Sequence, residues 1–98
     1  MLTRQSVLQG AEQCVCQDRN STYGEPENNF QTIANRWDNW LLSRYKQRDK
    51  MQIDSLDVAV MMCDLKLARI ASDLKHDDNY TDGIGYLACA AEIAGKME

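Results

Sequence analysis

The stretch Asp54–Ile70, DSLDVAVMMCDLKLARI, reads as a helix with its own start signal. Asp54 can accept from the exposed amides of a first turn, and Asp57, three residues on, stands in the return position of a capping box. Val58, Met61, Met62, Leu65, Ala68 and Ile70 then supply apolar surface. Lys66 and Arg69 are three apart and project from one face beside Met62 and Leu65. Two cations next to an apolar stripe call for a carboxylate or a bound anion wherever they are buried.

Outward from this helix the same period recurs. Upstream, Phe30, Ile33, Ala34, Trp37, Trp40, Leu41 and Tyr45 fall at three-four spacing, predicting a helix from Pro26 to about Arg48 that carries both tryptophans. Pro26 suits a first helical turn, with Glu27 at the positive end of the dipole. The spacing predicts an earlier helix from a Thr3 cap to about Asp18, with Val7, Leu8, Ala11, Cys14 and Val15 in one stripe. Downstream, a helix capped at Asp77 or Asp78 runs to about Gly95 and is rich in small residues, Gly83, Gly85, Ala88, Cys89, Ala90, Ala91 and Ala94, which let another backbone approach. The connectors are polar: Asn20–Pro26, Gln47–Lys50 and Asp73–Asp78. The expectation is an all-α, antiparallel four-helix bundle, one domain over residues 1–98. A chain this short has a limited core, so self-association as a homodimer or higher homo-oligomer is expected to complete it. The tryptophan stripe and the small-residue face are the surfaces available for that.

Composition excludes several functions. The 98 residues are 44% apolar and 27% charged, an ordinary globular balance. Eleven Lys and Arg against 15 Asp and Glu give a net charge of −4, which argues against direct nucleic-acid binding but not against a small anionic ligand held by a few placed cations. No apolar run is long enough to span a membrane, and no signal peptide follows the N-terminus, so a cytoplasmic location is expected. In a reducing compartment the four cysteines, Cys14, Cys16, Cys63 and Cys89, are expected to be free, buried thiols. There is no Cys/His set for zinc, and the single His76 leaves no evident triad. Gly83-x-Gly85 lacks the third glycine and the preceding strand of a phosphate loop.

The candidate site joins the third and fourth helices. Lys66 and Arg69 would face Asp78, Asn79 and Asp82, with Tyr86 one turn beyond Asp82. Either these residues form interhelical ion pairs, or they line a polar pocket. In the pocket the cations would take phosphate, Asp82 would orient a ligand or one metal ion, and Tyr86 or Tyr23 would pack on a ring. Tyr23-Gly24 in the first connector is either a plain turn or a close backbone approach to a ligand.

Taken in order, Arg19, Tyr23-Gly24, Asn29-Phe30, Ile33-Ala34 and Trp37, then Asp57-Val58-Ala59, Lys66-Leu67-Ala68-Arg69, Asp82 and Gly85-Tyr86, resemble a family of small phage and prophage proteins with no settled activity. The resemblance spans roughly residues 10–94 and implies the cytoplasm of an infected or lysogenic bacterium. More distantly the chain resembles the all-α NTP pyrophosphatase superfamily, the MazG-like enzymes. Those hold Mg²⁺ against a triphosphate with Glu-x-x-Glu and Glu-x-x-Asp pairs. Here Asn79-Tyr80-Thr81-Asp82 stands at the second pair, and Lys66 and Arg69 stand at the first. Two cations repel Mg²⁺ but can contact phosphate directly. The resemblance therefore implies a nucleotide-binding protein, with pyrophosphate hydrolysis only if a magnesium site is completed. The alternative is a non-catalytic anti-defence protein that sequesters a nucleotide signal or blocks a host protein.

Overall fold

The computed structural model of the protein describes residues 2–18 and 26–98. Among these residues the regular structure is all helical, with four α-helices and no strand. They are α1 (Arg4–Gln13), α2 (Pro26–Arg44), α3 (Ser55–Ser72) and α4 (Asp77–Gly95). A π-helical turn, Cys14–Asp18, follows α1, and a short 3-10 turn, Arg48–Lys50, lies between α2 and α3.

The start signals act as the residue types dictate. The Thr3 hydroxyl accepts from the Ser6 amide, and Ser6 Oγ accepts from the Thr3 amide, both at 3.1 Å. Asp54 and Asp57 form the same reciprocal box at α3, each carboxylate accepting the other's amide at 3.0 Å. The start of α4 differs from expectation. His76 occupies the cap position without a side-chain cap bond, and Asp77 and Asp78 lie inside the first turn. There they face the positive end of the dipole rather than capping it. The second helix also ends at Arg44, short of Arg48. Arg44 and Tyr45 are both bonded to the carboxylates that open α3, so the chain has to turn where their side chains are anchored.

α3 is the central helix. Asn29, Arg36, Trp37 and Trp40 of α2 bond to Ser72, Asp64, Met61 and Asp57 of α3, the numbers rising on one helix as they fall on the other. The two helices are therefore antiparallel. α4 packs on α3 through Lys66 and Asp82, and a Cβ added at Gly83 would stand 3.6 Å from that of Lys66. The glycine keeps the two helices close at this level. At about 100° per residue, Asp57, Met61, Asp64 and Ser72 lie on one side of α3, whereas Cys63, Lys66 and Ile70 lie on the opposite side. The three helices thus form a layer with α3 in the middle and two open faces.

This geometry explains a small core. The buried apolar residues are Ile33, Ala59, Cys63, Ala68 and Ala90. Trp37, Trp40, Leu41 and Tyr45 are half-buried. The indole nitrogens of both tryptophans turn inward onto α3 of the same chain, whereas Phe30, at the other end of the α2 stripe, is 55% exposed. Only Gly83 and Ala90 of the small residues on α4 are buried. α1 buries none of its residues, so the described packing is that of three helices and not four. The cysteines are free, but only Cys63 is buried; Cys14, Cys16 and Cys89 are exposed, because α1 stands apart and Cys89 lies on the outer side of α4.

Candidate functional site

The strongest polar constellation lies at the junction of α2 and α3. Asp57 is fully buried, 0% exposed. Its Oδ1 accepts from Trp40 Nε1 at 3.0 Å and from Arg44 Nη1 at 2.8 Å. Its Oδ2 lies 2.6 Å from the Tyr45 hydroxyl and accepts from the Asp54 amide at 3.0 Å. Arg44 also grips Asp54 with two nitrogens, at 2.8 and 3.0 Å. Burial pushes the Asp57 carboxyl upward, but donors from Tyr45, the Asp54 backbone, Arg44 and Trp40 outweigh it and leave its pKa lowered. Arg44 holds Asp54 well below the usual carboxylate range, and the bond to Asp57 raises the Tyr45 phenol. Every oxygen here is engaged within the chain, so the arrangement fixes the turn between two helices and leaves no reactive group free. The capping-box pattern disclosed Asp54 and Asp57, but no sequence signal tied them to Arg44 or to Trp40.

The residues expected to form a ligand pocket are dispersed. Lys66 Nζ pairs with Asp82 Oδ2 at 3.0 Å, the lysine side chain 13% and the aspartate 49% exposed. Arg69 is half-buried in the last turn of α3. Asn79 is completely buried, and neither Oδ1 nor Nδ2 of its carboxamide has a hydrogen-bond partner. It lines an apolar groove of about 170 Å³ between α3 and α4, with Cys63, Leu67, Ile70, Tyr80 and Ile84. Asp82 and Tyr86 border a different, shallow depression with Thr81, Gly85 and Cys89. Lys66 and Arg69 line neither of these, and Tyr23 lies outside the described residues. Of the pocket expected from the sequence, the Lys66–Asp82 contact is formed, as an ion pair.

These residues do not fit a magnesium site either. Asp82, the metal candidate, faces an ammonium that would repel Mg²⁺. Among the described residues no three His, Cys, Asp or Glu side chains are grouped as metal ligands.

A polar cleft does exist elsewhere, on the face where α2 meets α3. It encloses about 290 Å³ and is lined by Arg36, Asn39, Trp40, Ser43, Val60 and Asp64. Arg36 Nε reaches Asp64 Oδ1 at 3.3 Å, a long bond, and the aspartate side chain is only 16% exposed. Burial raises the Asp64 pKa against the opposing effect of Arg36. A cation, a half-desolvated carboxylate, an amide and a hydroxyl thus surround an indole edge. Arg36 and Asn39 stand beside the tryptophan stripe in the sequence of their helix. The i, i+3, i+4, i+7 spacing of 36, 39, 40 and 43 could have shown that they share a stripe with Trp40.

The fold and these sites define a class: a small all-α domain built as a helical layer and locked by an internal carboxylate network. None of its helices among the described residues is long and apolar enough to cross a membrane. The chain belongs to the family described as a domain of unknown function, DUF6378, whose pattern it matches over residues 6–94. It is 35% identical over 89 residues to the Gene 55 protein of Mycobacterium phage D29, covering 91% of this chain and 54% of that protein. It is also 35% identical over 93 residues to the Gene 55 protein of Mycobacterium phage L5, covering 95% of this chain and 53% of the relative. The chain therefore spans about half the length of the curated relatives it matches. The expected kinship with phage proteins stands on these matches. No solved structure matches the chain.

Proposed function

We propose that this domain acts by binding a host protein, without catalysis, and that the α2/α3 cleft receives an anchoring side chain of that partner. The observation that carries this reading is the composition of the cleft: Arg36 and a tryptophan edge in one depression, ringed by Asn39, Ser43 and Asp64. Arginine and tryptophan are enriched where protein interfaces concentrate their energy, in pockets closed off by polar neighbours. The absence of an acidic ligand grouping among the described residues and the Lys66–Asp82 pair both weigh against the magnesium-dependent pyrophosphatase reading.

Nucleotide binding is the second reading, favoured by one observation: Arg36 gives the polar cleft a cation suited to phosphate. One set of experiments separates the two. A ligand at 100 times its dissociation constant adds about 2.7 kcal/mol of stability. Thermal shift against nucleoside mono-, di- and triphosphates, with and without Mg²⁺, is expected to show no such gain, and pyrophosphate release is expected to be absent. Cross-linking in host extract is expected to recover a defined host protein with the wild-type chain and to lose it with Arg36→Glu or Asn39→Arg. A nucleotide shift abolished by Arg36→Ala would replace the first reading with the second.

A further inference from the structure

A compact monomer of this mass exposes roughly 5,700 Å², whereas the chain exposes 7265 Å². The excess, about 1,600 Å², is twice the roughly 800 Å² that each partner gives to a standard interface. Two open apolar surfaces contribute to it. One is the stripe of α1 and the π-helical turn after it, where Val7 and Leu8 in the capped helix are 52% and 70% exposed and Val15 in the turn is 51% exposed. The other is the α3/α4 groove, whose rim residues Leu67, Tyr80, Ile84 and Leu87 are 40%, 46%, 72% and 56% exposed.

We infer that the protein self-associates by laying the apolar stripe of α1 from one copy into the α3/α4 groove of another. The lengths agree. Val7 to Val15 spans about 12 Å of helix, and Tyr80 to Leu87, along the groove, spans about 11 Å. The chemistry agrees as well, since both surfaces are largely apolar and α1 buries none of its residues. Reciprocal exchange of two α1 helices gives each three-helix layer its fourth helix, and a two-fold arrangement closes the assembly. This inference is separate from the host-protein reading, because it uses the α3/α4 groove and not the α2/α3 cleft.

Sedimentation and light scattering are expected to give a dimer at micromolar concentration. Leu8→Asp and Ile84→Asp each place a charge on a surface that is open in the single chain, so each is expected to yield a folded monomer by circular dichroism. Placement is tested by mixing two chains lacking the native cysteines, one carrying Leu8→Cys and the other Leu87→Cys. Oxidation is expected to link them into a heterodimer. A wild-type monomer at 100-fold higher concentration would overturn the inference. So would a dimer indifferent to both aspartate variants, or a cross-link that forms only when both cysteines are placed in one chain.

Discussion

Asp57→Ala is the sharpest test of how the fold is held. The wild-type carboxylate is 0% exposed and has four donors within hydrogen-bond reach. Their fates differ when it is removed. Arg44 keeps both bonds to Asp54, and the Tyr45 hydroxyl keeps the Gln52 carbonyl at 3.0 Å. The Trp40 indole N–H and the Asp54 amide have no substitute acceptor in the network. The Trp40 donor left unsatisfied costs about 1–3 kcal/mol, and the Asp54 amide, which loses its half of the capping box, adds about 1 kcal/mol. The expected loss is about 2–4 kcal/mol. At roughly 4–8 °C per kcal/mol for a domain of this size, the melting temperature falls by at least about 8 °C.

Urea unfolding followed by tryptophan fluorescence and by circular dichroism measures this loss. Its pH dependence adds a second check. Asp57 has a folded pKa below its unfolded value, so its contribution is full above the unfolded carboxylate value of about 3.9 and disappears as pH falls through the folded value. The gap between wild type and Asp57→Ala is therefore expected to be wide at pH 7 and to narrow below pH 3. A loss under about 1 kcal/mol at pH 7 would refute the argument, because two stranded donors alone exceed that figure. So would a gap independent of pH.

Two further perturbations follow from the same reasoning. At the Lys66–Asp82 pair the two deletions are unequal, because the lysine is 13% exposed and the aspartate 49%. Asp82→Ala strands an ammonium whose side chain is largely covered and is expected to cost the more, about 1 kcal/mol, while Lys66→Met leaves a hydrated carboxylate and costs less in the same urea assay. Equal losses would mean the ammonium is solvated. At Asp64 burial raises the pKa, so its ionised form is disfavoured in the fold at neutral pH and the penalty fades as pH falls below the folded value. Asp64→Asn is expected to leave stability at pH 7 unchanged or higher and to flatten the acid limb of its pH profile; a clear drop at pH 7 would show that the Arg36 bond outweighs desolvation.

The elements were readable because their signals are local. Thr3 with Ser6 and Asp54 with Asp57 declare helix starts within four residues, and the three-four spacing of Ile33, Trp37, Trp40 and Leu41 places the α2 face that meets α3. What sequence reasoning missed depends on how the helices lie against one another. Lys66 and Arg69 share a face, yet only their relation to α4 decides whether a ligand or Asp82 meets the ammonium, and Gly83 brings the helices close enough for the aspartate to do so. Arg36 looks like a solvated residue until Asp64 is placed opposite it. The burial of α1 was overestimated for a similar reason. Its stripe has the right period, but periodicity declares an apolar face without naming the surface that covers it.

That last gap bears on function. A stripe with the correct period and a formed cap, yet with no residue buried, is a local sequence preference that the described packing does not use. An isolated helix of this length is marginal in water, and packing supplies most helical stability. A capped α1 that buries nothing therefore calls for an apolar surface beyond its own three-helix layer. The α3/α4 groove offers apolar surface of matching length. The polar α2/α3 cleft is lined by different residues, so assembly and partner recognition can use two separate depressions beside one central helix. If removing residues 1–18 left both the helicity of the remaining chain and its association state unchanged, α1 would have no structural partner in either sense, and the link between its apolar stripe and the missing fourth helix would be broken.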